Sequence, residues 1–216
     1  MATTERTTPE VVRRLIVLGL ILTFLISSCA KLNFRLPAWG KAGKYRTGKN
    51  LFLQPGEKGA NEALPHFEAL AKEDPFYEDT LTYLGRTYYR QKRYPAALEV
   101  LRRAILVNKD DEIAWLTLGL VQLRIGDAQE GLESYKGGLA LLSKVIKHGY
   151  RGYYTYDRNG LVRSSIRRAI FQVNKDGLTS KQRLIRAGEL ILRRIDDEEV
   201  AQASDKGMET QIEMGG

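Results

Sequence analysis

"EDTLTYLGRTYYRQKRYPAALEVLRRAILVNKDD", from Glu78 to Asp111, runs without a gap into "EIAWLTLGLVQLRIGDAQEGLESYKGGLALLSKV", from Glu112 to Val145. Laid one over the other, Leu81 falls on Trp115, Leu84 on Leu118, Gly85 on Gly119, Ala97 on Gly131, Leu101 on Tyr135 and Ala104 on Gly138, each pair 34 positions apart. Self-similarity at a fixed period marks one supersecondary unit used again, which buries its apolar face only by stacking on its neighbour. Small residues at matching phases let two antiparallel helices approach closely. Gly85 and Gly119 do so on the first helix, and Ala97 and Ala104 fill the seam of the second.

The order of these residues is a large apolar side chain, Leu-Gly three positions on, an aromatic, and then Ala, a large residue and Ala. It resembles the tetratricopeptide repeat, whose period is also 34 residues. The resemblance implies an all-α fold: a short TPR-type helical solenoid with C-terminal capping helices, the repeats occupying residues 59–146. The second copy departs from the pattern. Gly131 and Gly138 stand where alanines are usual, each costing about 0.5–1 kcal/mol in a helix interior, and Gln122 stands where the aromatic is usual. Either a closer helix contact or a looser helix is expected there. One period earlier, Ala63 lies under Ala97, Phe67 under Leu101, and Pro75 just past "NEALPHFEALAKED". The first helix of that copy would fall in "KYRTGKNLFLQPGEKG", which has Gly48, Pro55 and Gly56 and no Leu-Gly signature, so the first repeat is half missing or degenerate.

Fewer than three full repeats bury too little surface to stand alone, and capping helices are expected over residues 161–199. Leu161 to Val173 places Val162, Ile166, Ala169, Ile170 and Val173 on one stripe. Thr179 and Gln182 suggest a capping box opening a helix that runs to about Glu199, with Leu184, Ala187, Gly188, Ile191 and Ile195 on its apolar face. Residues 147–160 form a Tyr/Gly-rich loop whose "DRNG", Asp157 to Gly160, reads as a tight turn with positive φ near Asn159 and Gly160. Residues 200–216 have too little apolar content to pack and read as a disordered tail.

The repeat family binds peptides or helices on the concave face lined by first helices. Carried over by register, its groove positions are Thr82, Arg86, Tyr89 and Arg90 in one repeat and Leu116, Leu120, Leu123 and Arg124 in the next. The first set is polar and cationic, the second mostly apolar. Two readings stay open: the capping helices fold back over the three leucines, or an amphipathic partner docks there with Arg86, Arg90 and Arg124 holding its acids. A second candidate surface is the loop with Tyr150, Tyr153, Tyr154 and Tyr156, flanked by Arg151 and Arg158. Such side chains suit an interface centre, a glycan, or the pinning of a long loop. Arg163, Arg167, Arg168, Arg183, Arg186, Arg193 and Arg194 make the capping helices basic: a solvated face, or one that meets anionic headgroups or an acidic partner.

No catalytic constellation is present in the sequence. His66 and His148, the only histidines, have no metal-ligand spacing, and neither GxSxG nor a phosphate-cradling glycine loop occurs. The chain reads as non-enzymatic, with no cofactor and no metal. The formal net charge of +8 invites a nucleic-acid partner, but the front of the chain argues for export and against it.

That front has a polar start, Arg13 and Arg14, an apolar run from Leu15 to Ile26, and the small residues Ser27 and Ser28 before Cys29, the only cysteine. The run is shorter than the roughly 20 residues that span a bilayer. "ISSC", Ile26 to Cys29, resembles a bacterial lipobox. The resemblance implies a lipoprotein signal peptide over residues 1–28, cut before Cys29, with a diacylglycerol on the thiol and an acyl chain such as palmitate on the new N-terminus. An uncleaved signal anchor and a buried structural thiol are the alternatives. Ala30 in place of aspartate favours, by the same resemblance, the outer membrane facing the periplasm. Residues 29–58, rich in Lys and Arg with no acid until Glu57, read as a lipidated basic tether. The whole reads as a membrane-anchored adaptor or assembly scaffold for other envelope proteins. The alternatives are a peptidoglycan-associated accessory protein and a structural component whose groove is filled by its own caps.

Overall fold

The structure, a computed structural model, describes residues 40–148, 157 and 159–214, the side chains of 147–148 and 205–214 excepted; Cys29 and the tyrosine loop lie outside the described residues. The described residues form helices joined by short turns, with no strand among them. Helix α1 (Gly40–Phe52) pairs with α2 (Gly56–Glu73), α3 (Thr80–Arg90) with α4 (Tyr94–Val107), and α5 (Glu112–Ile125) with α6 (Ala128–His148). Helix α7 (Leu161–Asp176), a 3-10 turn (Gly177–Ser180) and the long α8 (Lys181–Met214) follow. Each helix packs on the next in sequence, and α1, α3 and α5 also touch in turn, which makes them the inner layer of a tetratricopeptide-like solenoid.

The seams are set by glycine. A Cβ on Gly85 would lie 2.5 Å from Leu101 Cγ, and one on Gly119 would lie 2.5 Å from the Tyr135 backbone nitrogen. Gly131 and Gly138 resolve the choice left by the sequence in favour of close approach, since their Cβ atoms would sit 2.8 Å from Leu123 N and 2.5 Å from Leu116 N. Helices α5 and α6 therefore meet backbone to backbone. Local signals fix the ends: the Asp111 carboxylate accepts from Ala114 N at 2.7 Å to cap α5, Gly126 closes that helix with φ 102°, and Pro95 sits in the first turn of α4.

The tether reading needs correcting over residues 40–58. These residues form α1 and the start of α2, so the first repeat is a complete helix pair rather than half of one. Gly48 performs the task of Gly85 and Gly119: its Cβ would lie 3.1 Å from Phe67 Cζ, and Phe67 holds the position of Leu101 and Tyr135. Sixteen residues separate Gly85 from Leu101 and Gly119 from Tyr135, whereas nineteen separate Gly48 from Phe67. The extra residues lie at the start of α2, which begins eleven residues before Phe67 where α4 and α6 begin seven before Leu101 and Tyr135; they throw the glycine out of the 34-residue register and hide it from a fixed-period alignment.

Two cores share α5. One gathers Phe52, Phe67, Tyr83, Leu84, Leu101, Leu118 and Val121 from α1 to α5. The other gathers Leu116, Leu120, Leu123, Tyr135, Leu139, Ile166, Leu184, Ile191 and Ile195 from α5 to α8. A helix apolar all round belongs in the middle of a protein, and α5 is buried from Leu116 through Leu123 without a break. The expected α7 stripe is buried at Val162, Ile166, Ala169 and Val173, with Ile170 half-buried at its edge. Asp157 caps α7 by accepting from Val162 N at 2.8 Å and Arg163 N at 3.2 Å, and Gly160 takes the positive φ expected of the turn, 69°.

Two further expectations change at the last helix. Thr179 lies in the 3-10 turn and donates its hydroxyl to the Asp176 carbonyl instead of forming a capping box. Helix α8 continues past Glu199 to Met214, across most of the segment expected to be a disordered tail.

Candidate functional site

The inner face of α1, α3 and α5 is the groove that the repeat pattern singles out, and the protein's own α8 lies in it. Leu116, Leu120 and Leu123 are fully buried, packed with Leu184, Ile191, Leu192 and Ile195 of α8. Gly188 makes this fit, because a Cβ there would lie 2.7 Å from the Tyr135 ring and 2.8 Å from Leu120.

The polar half of the groove is filled by carboxylates of the same helix. Glu189, Asp196 and Glu199 are spaced by seven and three residues, one stripe of a helix. Arg86 and Arg90 both donate to Asp196, the second at 2.7 Å. Tyr89 donates its hydroxyl to Glu189 at 2.6 Å, and Arg124 donates to the same oxygen at 2.7 Å. Tyr83 donates to Glu199 at 2.6 Å, with Lys49 3.3 Å from that carboxylate. Thr82 instead donates to Asp111, tying α3 to the α4–α5 loop. Every groove residue that the sequence singles out thus has an intramolecular neighbour. Lys49, Tyr83, Glu189, Asp196 and Glu199 complete the arrangement and were missed; the spacing of the three acids was the signal available.

Stacking reinforces the charge pairing. The Arg90 guanidinium lies 3.7 Å from the centroid of the Phe52 ring and donates to the Phe52 carbonyl, while Arg86 lies 4.7 Å from the same ring. Burial opposes the charge on Arg86, but Asp196 together with Tyr83 and Glu199 outweighs it and holds the guanidinium above its ordinary range. Burial, with Arg86 alongside, pulls Arg90 down. Burial also raises the Tyr89 phenol, and its bond to Glu189 raises it further. Together these contacts hold α8 in the groove.

Helix α8 does not close the groove completely. A cleft of about 500 Å³ remains between the α1–α2 turn, the end of α3 and α8, lined among others by Leu53, Pro55, Tyr89, Arg90, Tyr94 and Leu192. Lys92, an exposed residue with φ 59°, stands at its edge. Tyr153 and Tyr154, the second candidate surface, lie outside the described residues.

An all-helical stack with glycine-set seams and an inner layer facing a groove is the architecture of a protein-interaction solenoid. The comparison with protein families agrees: residues 56–121 match the family described as "Tetratricopeptide repeat", a span from the start of α2 into α5. Repeats of this family typically bind other proteins and are generally not enzymes. No curated protein matches the chain.

Proposed function

We propose that this chain is a non-enzymatic lipoprotein of the bacterial cell envelope, an adaptor or assembly scaffold that takes a protein partner at the mouth of its groove. The observation that carries the reading is the cleft beside α8, where Leu53, Tyr89, Tyr94 and the stacked Arg90 surround open space at the edge of an otherwise filled groove. Aromatic and arginine side chains around a concavity are what interface centres use. The lipobox-like "ISSC" supports attachment through lipid on Cys29, and Ala30 supports the outer membrane. Several acyl chains at about 0.8 kcal/mol per buried CH2 give durable attachment.

A photo-crosslinking residue at Lys92 of the full-length chain, in cells, tests the partner. One envelope protein captured from Lys92 and not from Arg103, an exposed site on α4, supports the adaptor; equal or absent capture sinks it. Radiolabelled palmitate entering the wild type but not Cys29→Ser tests the anchor separately. The structural-component reading draws on the α8 packing itself, and it expects no capture at Lys92. The peptidoglycan reading rests on Tyr153 and Tyr154.

A further inference from the structure

The groove cations are each matched by a carboxylate of α8, but another set of cations is not. On α7, Arg163, Arg167, Arg168, Phe171 and Lys175 are all exposed, opposite the buried stripe of Val162, Ile166, Ala169 and Val173. Arg163 leans on the capping Asp157 at 3.6 Å, and Arg183 of α8 pairs with Asp176 at 2.8 Å. Among the described residues, Arg167, Arg168 and Arg186 have no carboxylate partner. Arg168, Arg183 and Arg186 share the rim of a cleft of about 270 Å³ between α7 and α8.

Phe171 is 63% exposed in the middle of this field, with Lys175 Nζ 5.8 Å from its ring. A lone exposed aromatic is ordinary. One on the crest of a helix whose other outward residues, apart from Leu161 at its start, are Arg, Lys, Ser and Asn is the composition of a helix lying at a membrane interface, where an aromatic enters the headgroup layer and cations meet phosphates. From Arg163 to Lys175 the face runs twelve residues, about 18 Å at 1.5 Å per residue. A protein partner of the same charge would be expected to find an apolar centre for its own side chains, and Phe171 has no exposed apolar neighbour on this crest.

We propose that the outer face of α7, with the adjoining start of α8, docks on an anionic lipid surface through Arg167, Arg168 and Arg186 with Phe171 entering the headgroup layer. The inference rests on the membrane-anchored reading for the presence of that surface. Docking would set the orientation of the repeat array on the membrane, a task a lipid chain alone does not perform.

The test uses the full chain with Cys29→Ser and Phe171→Cys, carrying an environment-sensitive dye at 171, and a control with the dye at Arg103→Cys. Vesicles of phosphatidylcholine alone are compared with vesicles containing phosphatidylglycerol. The expected result is a blue shift at 171 on anionic vesicles only, none at 103, and reversal by salt. Adding Arg167→Gln and Arg168→Gln should weaken partition roughly thirtyfold, from about 1 kcal/mol per cation near the surface. A chain that sediments with vesicles through its apolar leader without a shift at 171 overturns the proposal. So does a shift produced by polyglutamate and not by vesicles, which would make the face a site for an acidic protein. Because the thiol is absent from these proteins, failure of palmitate labelling at Cys29 and failure of docking are read in different experiments.

Discussion

Arg86 on α3 donates to Asp196 on α8, across 110 residues of sequence, with its side chain only 4% exposed. Two charges removed from water gain little net free energy from each other, but removing one partner strands the other. Asp196→Ala should therefore destabilise the chain by about 3–5 kcal/mol, and Arg86→Met combined with Asp196→Leu should recover most of that loss. Denaturant unfolding monitored by circular dichroism reads both, as a shift in midpoint at constant slope. If the single and double variants are equally unstable, the pair is not the contact that holds α8.

Adjacent glycines in α6 should respond with opposite signs to the same substitution. A Cβ on Gly137 meets nothing nearer than Trp115 Cε3 at 3.7 Å, an ordinary contact. Gly137→Ala should then stabilise by about 0.5–1 kcal/mol, the helix-propensity gain. A Cβ on Gly138 would lie 2.5 Å from Leu116 N, a backbone atom that cannot swing aside. Here overpacking costs about 1–3 kcal/mol and exceeds the propensity gain. Thermal melts of the two variants beside the wild type decide the matter.

The α3–α6 unit was legible because one register runs unbroken from Leu81 to Gly138, and the side chains that repeat are those that set helix spacing. Residues 40–58 were not, because the longer start of α2 moves Gly48 out of phase with Gly85 while leaving Phe67 in phase. The groove was half legible. The apolar character of Leu116, Leu120 and Leu123 required a cover, but Glu189, Asp196 and Glu199 read as ordinary surface charge until α8 is seen to lie in the groove. Composition alone cannot tell a solvated acidic stripe from one that docks on arginines 110 residues away. The extent of α8 was misjudged for a similar reason: low apolar content argues against packing, not against helix.

Stability should fall as the pH rises toward neutrality. Glu112 in the first turn of α5 is 7% exposed, and burial, with Asp111 adding to it, pushes its carboxyl from an ordinary 4.5 up to about 7. Between those values the unfolded chain has released a proton that the folded chain still holds, so unfolding gains on folding as the pH increases. The contribution approaches about 3 kcal/mol and is fully developed above the folded-state value. Glu112→Gln, which does not titrate, should flatten the slope of unfolding free energy between about pH 4.5 and 7. An unchanged slope would assign the pH dependence to other groups.

Because α5 is the one helix with buried residues in both cores, loosening α8 should affect one more than the other. Gly188→Leu places side-chain atoms where a Cβ alone would already lie 2.7 Å from the Tyr135 ring and 2.8 Å from Leu120. The strain falls on the cluster shared by α5 to α8, whereas Phe52, Phe67, Tyr83 and Leu101 belong to the other cluster. Hydrogen exchange should speed up at the amides of residues 184–195, and an apolar dye should bind as Leu116, Leu120 and Leu123 become accessible. Amides of α2 and α4, which make none of the hydrogen bonds to α8 that α3 makes, should keep wild-type protection, since local opening follows local packing. Equal loss of protection from α2 to α8 would instead make α8 part of one cooperative unit. A partner could then use the cleft at Leu53 and Tyr94, but it could not displace the helix without unfolding the array.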